Sequence, residues 1–196
     1  MDLKLIYGNM RALCEAPQMM LHYADIPYEY KMVWDHYGSS WAEVKKDIIF
    51  NRLPILIINE DKYLWQSNTI IRYLSNLTKT KPSDEFQLAY CDAVFESTHE
   101  MFSPLNPTIN MTFGEKYNSN KKKLLEDILP NSLNNFEKLL QNSSGNFFIG
   151  NDPFYCDFNA YHHFSMCLIL DKNIFSNFPN LKKFINNFEK LNNIKN

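Results

Sequence analysis

Apolar and polar residues change rhythm along this chain in a way that marks out its elements. LKLIY at 3–7 reads as a strand, and residues 12–24 then place Leu13, Ala16, Met20, Leu21 and Ala24 near helical spacing. YEYKMV at 28–33 alternates again as a second strand, and residues 41–47 read as a short helix. Two apolar runs at 55–58 and 62–65 flank a polar turn, and a helix then runs from Ser67 to about Leu77. The order is βαβ, a short helix, then ββα.

Such an order folds as a four-stranded mixed sheet of about 80 residues, a thioredoxin-like α/β arrangement. TKTKPSD at 78–84 is polar, carries a proline and has the composition of a linker. Beyond it the pattern is wholly helical, with helices expected from Glu85 to about Phe102, Lys121 to Leu140, Phe158 to Leu170 and Pro179 to Leu191. No further pair of strands is read there. The expected organisation is a thioredoxin-like domain over 1–78 and an all-α domain over 85–196.

The stretch FNRLPILIINEDKYLWQSNTIIRYLSNL, from Phe50 to Leu77, carries the most chemistry. Pro54 cannot donate to a sheet ladder, so it belongs at or just before the start of its strand. A cis bond there would turn the Leu53 backbone outward, where it can pair with an extended ligand. Ser67 is a good N-cap, and the helix it opens offers unpaired N–H groups and a positive dipole end to an anion. A backbone clamp followed by a carboxylate receptor suits a short peptide with a free α-carboxylate.

Composition narrows the classes. The 196 residues are 45% apolar and 15% aromatic, which is a globular balance. A formal net charge of −2 gives no basic face for nucleic acid, and Lys121-Lys122-Lys123 reads as a solvated helix face. The Asn-rich stretches near 131–146 and 186–196 read as loops and helix surfaces. Cys14, Cys91, Cys156 and Cys167 show neither CxxC spacing nor a paired His motif, so no metal site is expected. They read as free, mostly buried thiols. No signal peptide or membrane-spanning run precedes Leu3, so a reduced cytoplasmic compartment and no membrane partner are expected.

KLIYGNMR at 4–11, LPILII at 53–58, QSNTIIRYL at 66–74 and FPNLKKFINNFEKL at 178–191 together resemble the cytosolic glutathione transferases. The pattern is similar to the tyrosine-type mu and sigma classes, the latter including haematopoietic prostaglandin D synthase. The resemblance covers nearly the whole chain and keeps the order and spacing of the motifs. It implies a homodimeric enzyme that joins glutathione, as co-substrate, to a hydrophobic electrophile in detoxification.

The resemblance also implies roles for individual residues. Tyr7 would be the catalytic hydroxyl, donating a hydrogen bond to the glutathione sulfur. A free thiol has a pKa of about 8.5, and a hydrogen bond to an anion contributes roughly 1.5–3 kcal/mol, about one to two pKa units. Gln66 and Ser67 would receive the γ-glutamyl carboxylate, and the Leu53 backbone beside Pro54 would pair with the cysteinyl unit. Trp41 and Lys45, spaced i, i+4, would contact the glycine end, with Arg52 a further counter-charge. Asp92 and Glu96 lie four apart, and Glu96 is the better match to an acidic residue that reaches the partner subunit's glutathione amine. Met10, Leu13, Met101, Phe102 and Leu105 would line the electrophile pocket, expected to have an open mouth.

Several positions depart from the family pattern. Gly8 stands where a bulky aromatic is usual, which makes the loop more pliant and removes part of a pocket wall. Leu13 stands where the sigma class has a thiolate-assisting arginine, Gln18 replaces another arginine, and Arg52 replaces a neutral residue. Phe154 stands at the cap of the core helix, leaving Asp157 alone of a capping box, at a cost of roughly 1 kcal/mol. These departures keep other readings open: a catalytically weak binding or scaffold protein, or a glutathione-dependent prostaglandin isomerase. A thiol–disulfide exchange protein would need a cysteine at the start of the first helix.

Overall fold

The computed structural model describes residues 1–194, so Lys195 and Asn196 of the Asn-rich tract lie outside the described residues. The chain divides into two compact units, Met1–Lys81 and a second that begins at Pro82.

In the first unit β1 (Leu3–Tyr7), β2 (Glu29–Met32), β3 (Ile55–Ile58) and β4 (Lys62–Trp65) form one sheet in the order β2-β1-β3-β4. β1 and β2 are parallel, while β3 is antiparallel to both β1 and β4. All four residues of β3 are buried, as expected of an unbroken apolar run in a strand covered on both faces. Ile6, Ile55 and Ile57 join Val33 and Ile48 in one core, against which Trp41, Val44, Leu53 and Trp65 pack. Leu3, Leu5 and Tyr7 point to the opposite face by strand alternation and are buried there.

The elements of this unit differ from the sequence reading in three places. α1 spans Glu15–Tyr23 and starts three residues later than expected; Pro17, which has no N–H to give, fits its first turn. β2 stops at Met32 because Val33 opens a short helix, α2 (Val33–Tyr37). That helix ends at Gly38, whose φ of 67° is the left-handed stop that glycine supplies. The helix expected over 41–47 is α3 (Trp41–Val44) followed by a 3₁₀ turn, Lys45–Asp47. α4 spans Ser67–Leu77, as its apolar spacing predicts.

The second unit is helical. α5 (Glu85–Met111) is capped by the Asp84 carboxylate, which accepts the Gln87 N–H at 2.8 Å. It continues well past Phe102, through Pro104 and Pro107. Each proline removes one helix donor, but Leu105 and Thr108 remain buried and keep the segment packed. The single helix expected over 121–140 is α6 (Gly114–Lys123), a π turn (Leu124–Ile128) and α7 (Leu129–Asn142). Pro130, in the first turn of α7, lacks an N–H, which is the local reason for the break. α8 (Tyr155–Leu170) is buried on nearly all sides and forms the centre of the unit. α9 (Pro179–Phe188) adds Phe184 and Phe188 to an aromatic cluster with Phe136, Phe148 and Phe164.

Candidate functional site

Strand register brings three of the expected site residues to one edge of the sheet. Ile6 of β1 pairs with Ile55 of β3, and Ile55 pairs in turn with Trp65 of β4. One residue further, at the same end of all three strands, come Tyr7, Pro54 and Gln66. With neighbouring strands about 4.8 Å apart, this row spans about 10 Å.

The Leu53-Pro54 bond is cis, and the ladder begins only at Ile55, so the Leu53 backbone lies outside it. The Leu53 side chain packs on the Ile6 core, as does Trp41. At the next strand end Gln66 has φ 69° and ψ 118°, a backbone region that side-chain-bearing residues seldom adopt. This conformation makes Gln66, not Ser67, the residue that flanks the helix. Ser67 is the first helical residue, and its hydroxyl donates to Asn68 Oδ1 at 3.4 Å, so the expected Ser67 cap is not formed. The Gln66 side chain makes no cap bond to α4 either. The positive end of its dipole is thus capped by neither Gln66 nor Ser67, and it favours a negative charge placed there.

Tyr7 is only 6% exposed, and its hydroxyl oxygen accepts the Leu13 N–H at 3.3 Å. Burial pushes its pKa up to about 12; the Leu13 N–H acts in the opposite sense, and the Cys14 thiol adds to the rise. The phenol thus keeps its proton at neutral pH. With its oxygen engaged by a backbone donor, the O–H remains available to donate. Leu13 enters this geometry through its backbone, a contribution that side-chain comparison does not reveal.

Two further tyrosines, Tyr28 just before β2 and Tyr30 within it, give no sign in the sequence beyond the alternation read over 28–33. The Tyr30 hydroxyl donates to the Gly8 carbonyl at 2.7 Å, and the Tyr28 hydroxyl donates to Gln18 Oε1 at 3.2 Å and lies 3.0 Å from His22 Nε2. Cys14 is the residue that flanks the start of α1, although it has no CxxC partner. Burial pushes its thiol far above the ordinary cysteine range, which makes it a poor nucleophile.

Trp41 opens α3 and is half-buried, while Lys45, one turn on, is exposed. Ser40 and Glu43 hold the start of that helix, with the Ser40 N–H and hydroxyl both donating to Glu43 Oε2, at 2.9 and 2.7 Å. Arg52 is exposed on extended backbone. Met10 is 40% exposed and Leu13 half-buried.

In the second unit Met101, Phe102 and Leu105 are buried on α5, and the Phe102 ring stacks on His163 with centroids 4.0 Å apart. Glu96 is half-buried on the same helix. Asp92, one turn before it, accepts the Tyr155 hydroxyl at 3.0 Å. Asp157 is fully buried and accepts the Phe148 N–H at 3.1 Å and the Phe154 N–H at 2.8 Å. The second of these bonds is the surviving half of the capping box. Among the described residues no group of three or more His, Cys, Asp or Glu side chains is arranged to hold a metal, and no helix is long and apolar enough to cross a membrane.

Comparison with known proteins gives this geometry its context. Residues 1–76 match the family model "Glutathione S-transferase, N-terminal domain", and residues 99–196 match "Glutathione S-transferase, C-terminal domain". Glutathione S-transferase P of Caenorhabditis elegans is 29% identical over 199 residues, covering 100% of this chain and 91% of its own. The solved Pi-class glutathione S-transferase of Onchocerca volvulus superposes with a TM-score of 0.87 at 26% identity, covering 100% of this chain and 91% of that one. Rat hPGDS complexed with a quinoline superposes with a TM-score of 0.86 at 25% identity, covering 99% and 94%. With two family models matched in chain order and the strand-end row of Tyr7, Pro54 and Gln66 in place, the chain belongs to the glutathione S-transferase family.

Proposed function

We propose that this enzyme transfers the thiolate of glutathione to hydrophobic electrophiles, with the Tyr7 hydroxyl as the donor that stabilises the thiolate. The observation that carries the reading is the state of that hydroxyl: buried, protonated at neutral pH, and with its oxygen already satisfied by the Leu13 N–H. A hydroxyl held in this way needs little reorganisation when negative charge develops on a nearby sulfur.

Glutathione would lie along the strand-end row. The Leu53 backbone, outside the ladder, suits the cysteinyl unit, and the start of α4, which neither Gln66 nor Ser67 caps, suits the γ-glutamyl carboxylate. Trp41, Lys45 and Arg52 serve the glycine end, where two exposed cations favour a second carboxylate. Met10 and Leu13, on the loop after β1, contribute apolar surface toward the electrophile. The proposed setting is a reducing cytoplasm, consistent with four buried free thiols, and the proposed assembly is a homodimer, which the exposed Ile49, Phe50 and Tyr63 favour.

The test is glutathione conjugation to a chromogenic aryl halide by wild type and Tyr7→Phe, alongside calorimetric binding of glutathione. Removing the hydroxyl is expected to leave binding within about twofold and to lower kcat about 10- to 100-fold, the kinetic equivalent of one charge-assisted hydrogen bond. Equal rates in the two proteins would overturn the role given to Tyr7. Absence of glutathione binding at millimolar concentration would overturn the whole site. Turnover of a prostaglandin endoperoxide in place of the aryl halide would favour the isomerase variant.

A further inference from the structure

Gly8 is the first residue beyond β1, directly after Tyr7. Its backbone does not need glycine: φ lies outside the left-handed region, and an added Cβ would meet only Met10 Cε at 3.8 Å. It therefore brings neither a side-chain anchor nor a required turn. The loop is tied down instead by a hydrogen bond from another strand, the Tyr30 hydroxyl donating to the Gly8 carbonyl at 2.7 Å. Tyr30 stands beside Leu5 in the parallel β1–β2 register, which sets its side chain on the same face as Tyr7. At the far end of the loop the Leu13 N–H closes back on the Tyr7 hydroxyl.

We propose that Tyr30 is a positioning residue for the Tyr7 hydroxyl: by holding the Gly8 carbonyl it fixes the loop that carries the Leu13 N–H, and so aims the phenolic proton at the glutathione sulfur. The proposal rests on the catalytic reading of Tyr7 given above. Tyr28, the other hydroxyl on this stretch, is already engaged by Gln18 and His22, so it is not a ready substitute. The titratable groups around Tyr30 are Cys14 and Glu15 at the head of α1, Tyr7 on β1 and Tyr28 before β2. Burial and then these neighbours raise the Tyr30 hydroxyl well above the ordinary tyrosine range, which keeps it a donor wherever the enzyme would work.

The experiment follows the ultraviolet absorbance of the bound glutathione thiolate against pH in wild type, Tyr7→Phe, Tyr30→Phe and the double variant, together with kcat, KM and thermal melts. Tyr7→Phe is expected to raise the bound thiol pKa by about one unit or more. Tyr30→Phe is expected to raise it by about half a unit and to lower kcat about three- to tenfold, with KM for glutathione within about twofold. In the Tyr7→Phe background the second substitution should add nothing, because its effect passes through the lost hydroxyl. A thiol pKa unmoved by Tyr7→Phe would overturn the Tyr7 reading itself. A pKa moved by Tyr7→Phe but not by Tyr30→Phe would overturn this proposal alone. Equal effects of Tyr30→Phe in both backgrounds, or loss of the fold, would make Tyr30 a structural residue and overturn it as well.

Discussion

The Leu13 N–H donates to the Tyr7 hydroxyl across 3.3 Å, and this bond decides which way the phenol can act. A hydroxyl whose oxygen accepts from the backbone turns its proton elsewhere. With burial pushing the Tyr7 pKa up to about 12, that proton stays in place throughout the working range. Tyr7 is thus suited to donate, and unsuited to serve as a base.

A pH–rate profile should therefore show one rise, set by ionisation of the bound glutathione thiol. No fall attributable to Tyr7 should appear below about pH 11. Steady-state conjugation rates, paired with tyrosinate absorbance, check this. A tyrosinate signal lost in Tyr7→Phe and titrating near pH 8 would contradict it.

Gln66 supplies a second prediction. Its φ of 69° is costly for a residue with a Cβ and natural for glycine. Such strain is worth about 1–3 kcal/mol and glycine's extra chain entropy about 0.5–1 kcal/mol. Gln66→Gly is expected to leave stability unchanged or raise it by about 1 kcal/mol, yet to weaken glutathione binding about tenfold through loss of the amide. Urea unfolding and calorimetric titration separate the two effects. A variant that is less stable but binds normally would show that Gln66 is held for the fold and not for the ligand.

How far these features can be read in advance depends on the range of the interactions behind them. The β3 and β4 boundaries, and the start of α4, follow from short apolar runs bounded by turn residues, and the sequence reading matches them. The place of Pro54 just ahead of β3 and of Ser67 at the opening of α4 is legible because the signals of a strand start and a helix start are local, although the cap expected of Ser67 is not formed. The sequence reading ends α5 near Phe102, whereas the helix continues through Pro104 and Pro107, strong local stop signals that the burial of Leu105 and Thr108 overrides. Asp157 reads locally as a capping residue, but its bond to the Phe148 N–H depends on a loop closing back on the helix. Tyr30 and the Leu13 N–H are illegible for a related reason. Each acts on a group that only the folded β1–α1 loop brings near, and one of the two is a backbone atom.

Gly8 bears on the electrophile. Its φ is not one reserved for glycine, and only Met10 Cε would approach an added Cβ, at 3.8 Å. Gly8→Phe should therefore be accommodated with a stability change within about 1 kcal/mol. The added ring would restore apolar surface beside Tyr7. The expected result is a lower KM for bulky aromatic electrophiles, about three- to tenfold, with KM for glutathione unchanged. An equal loss of kcat/KM for every electrophile, large or small, would show that the ring disturbs Tyr7 instead of rebuilding a wall.

Asp157 gives the sharpest test of stability. Each carboxylate oxygen accepts one backbone N–H, from Phe148 and from Phe154. A protonated carboxyl can still turn both oxygens to these donors, with its proton directed away, whereas asparagine sets an NH2 against one of them, so Asp157→Asn should cost about 1–3 kcal/mol. The pH dependence has a definite sign. Burial, partly offset by the two N–H bonds, raises the Asp157 pKa from 3.8 to about 7 in the fold. Between these values the folded state holds a proton that the unfolded chain has released, so this group's contribution is full below about pH 4 and is lost as pH rises to about 7. His163 works the other way: burial lowers its pKa well below 6.5, so its contribution is lost as pH falls below that value. The asparagine variant keeps the His163 slope and loses the Asp157 slope. Urea unfolding across this range should show the wild-type advantage over Asp157→Asn largest near pH 4, shrinking toward pH 7 and level above it. An advantage that grows with pH would mean that Asp157 is ionised in the fold and stabilised as an anion by its two N–H donors.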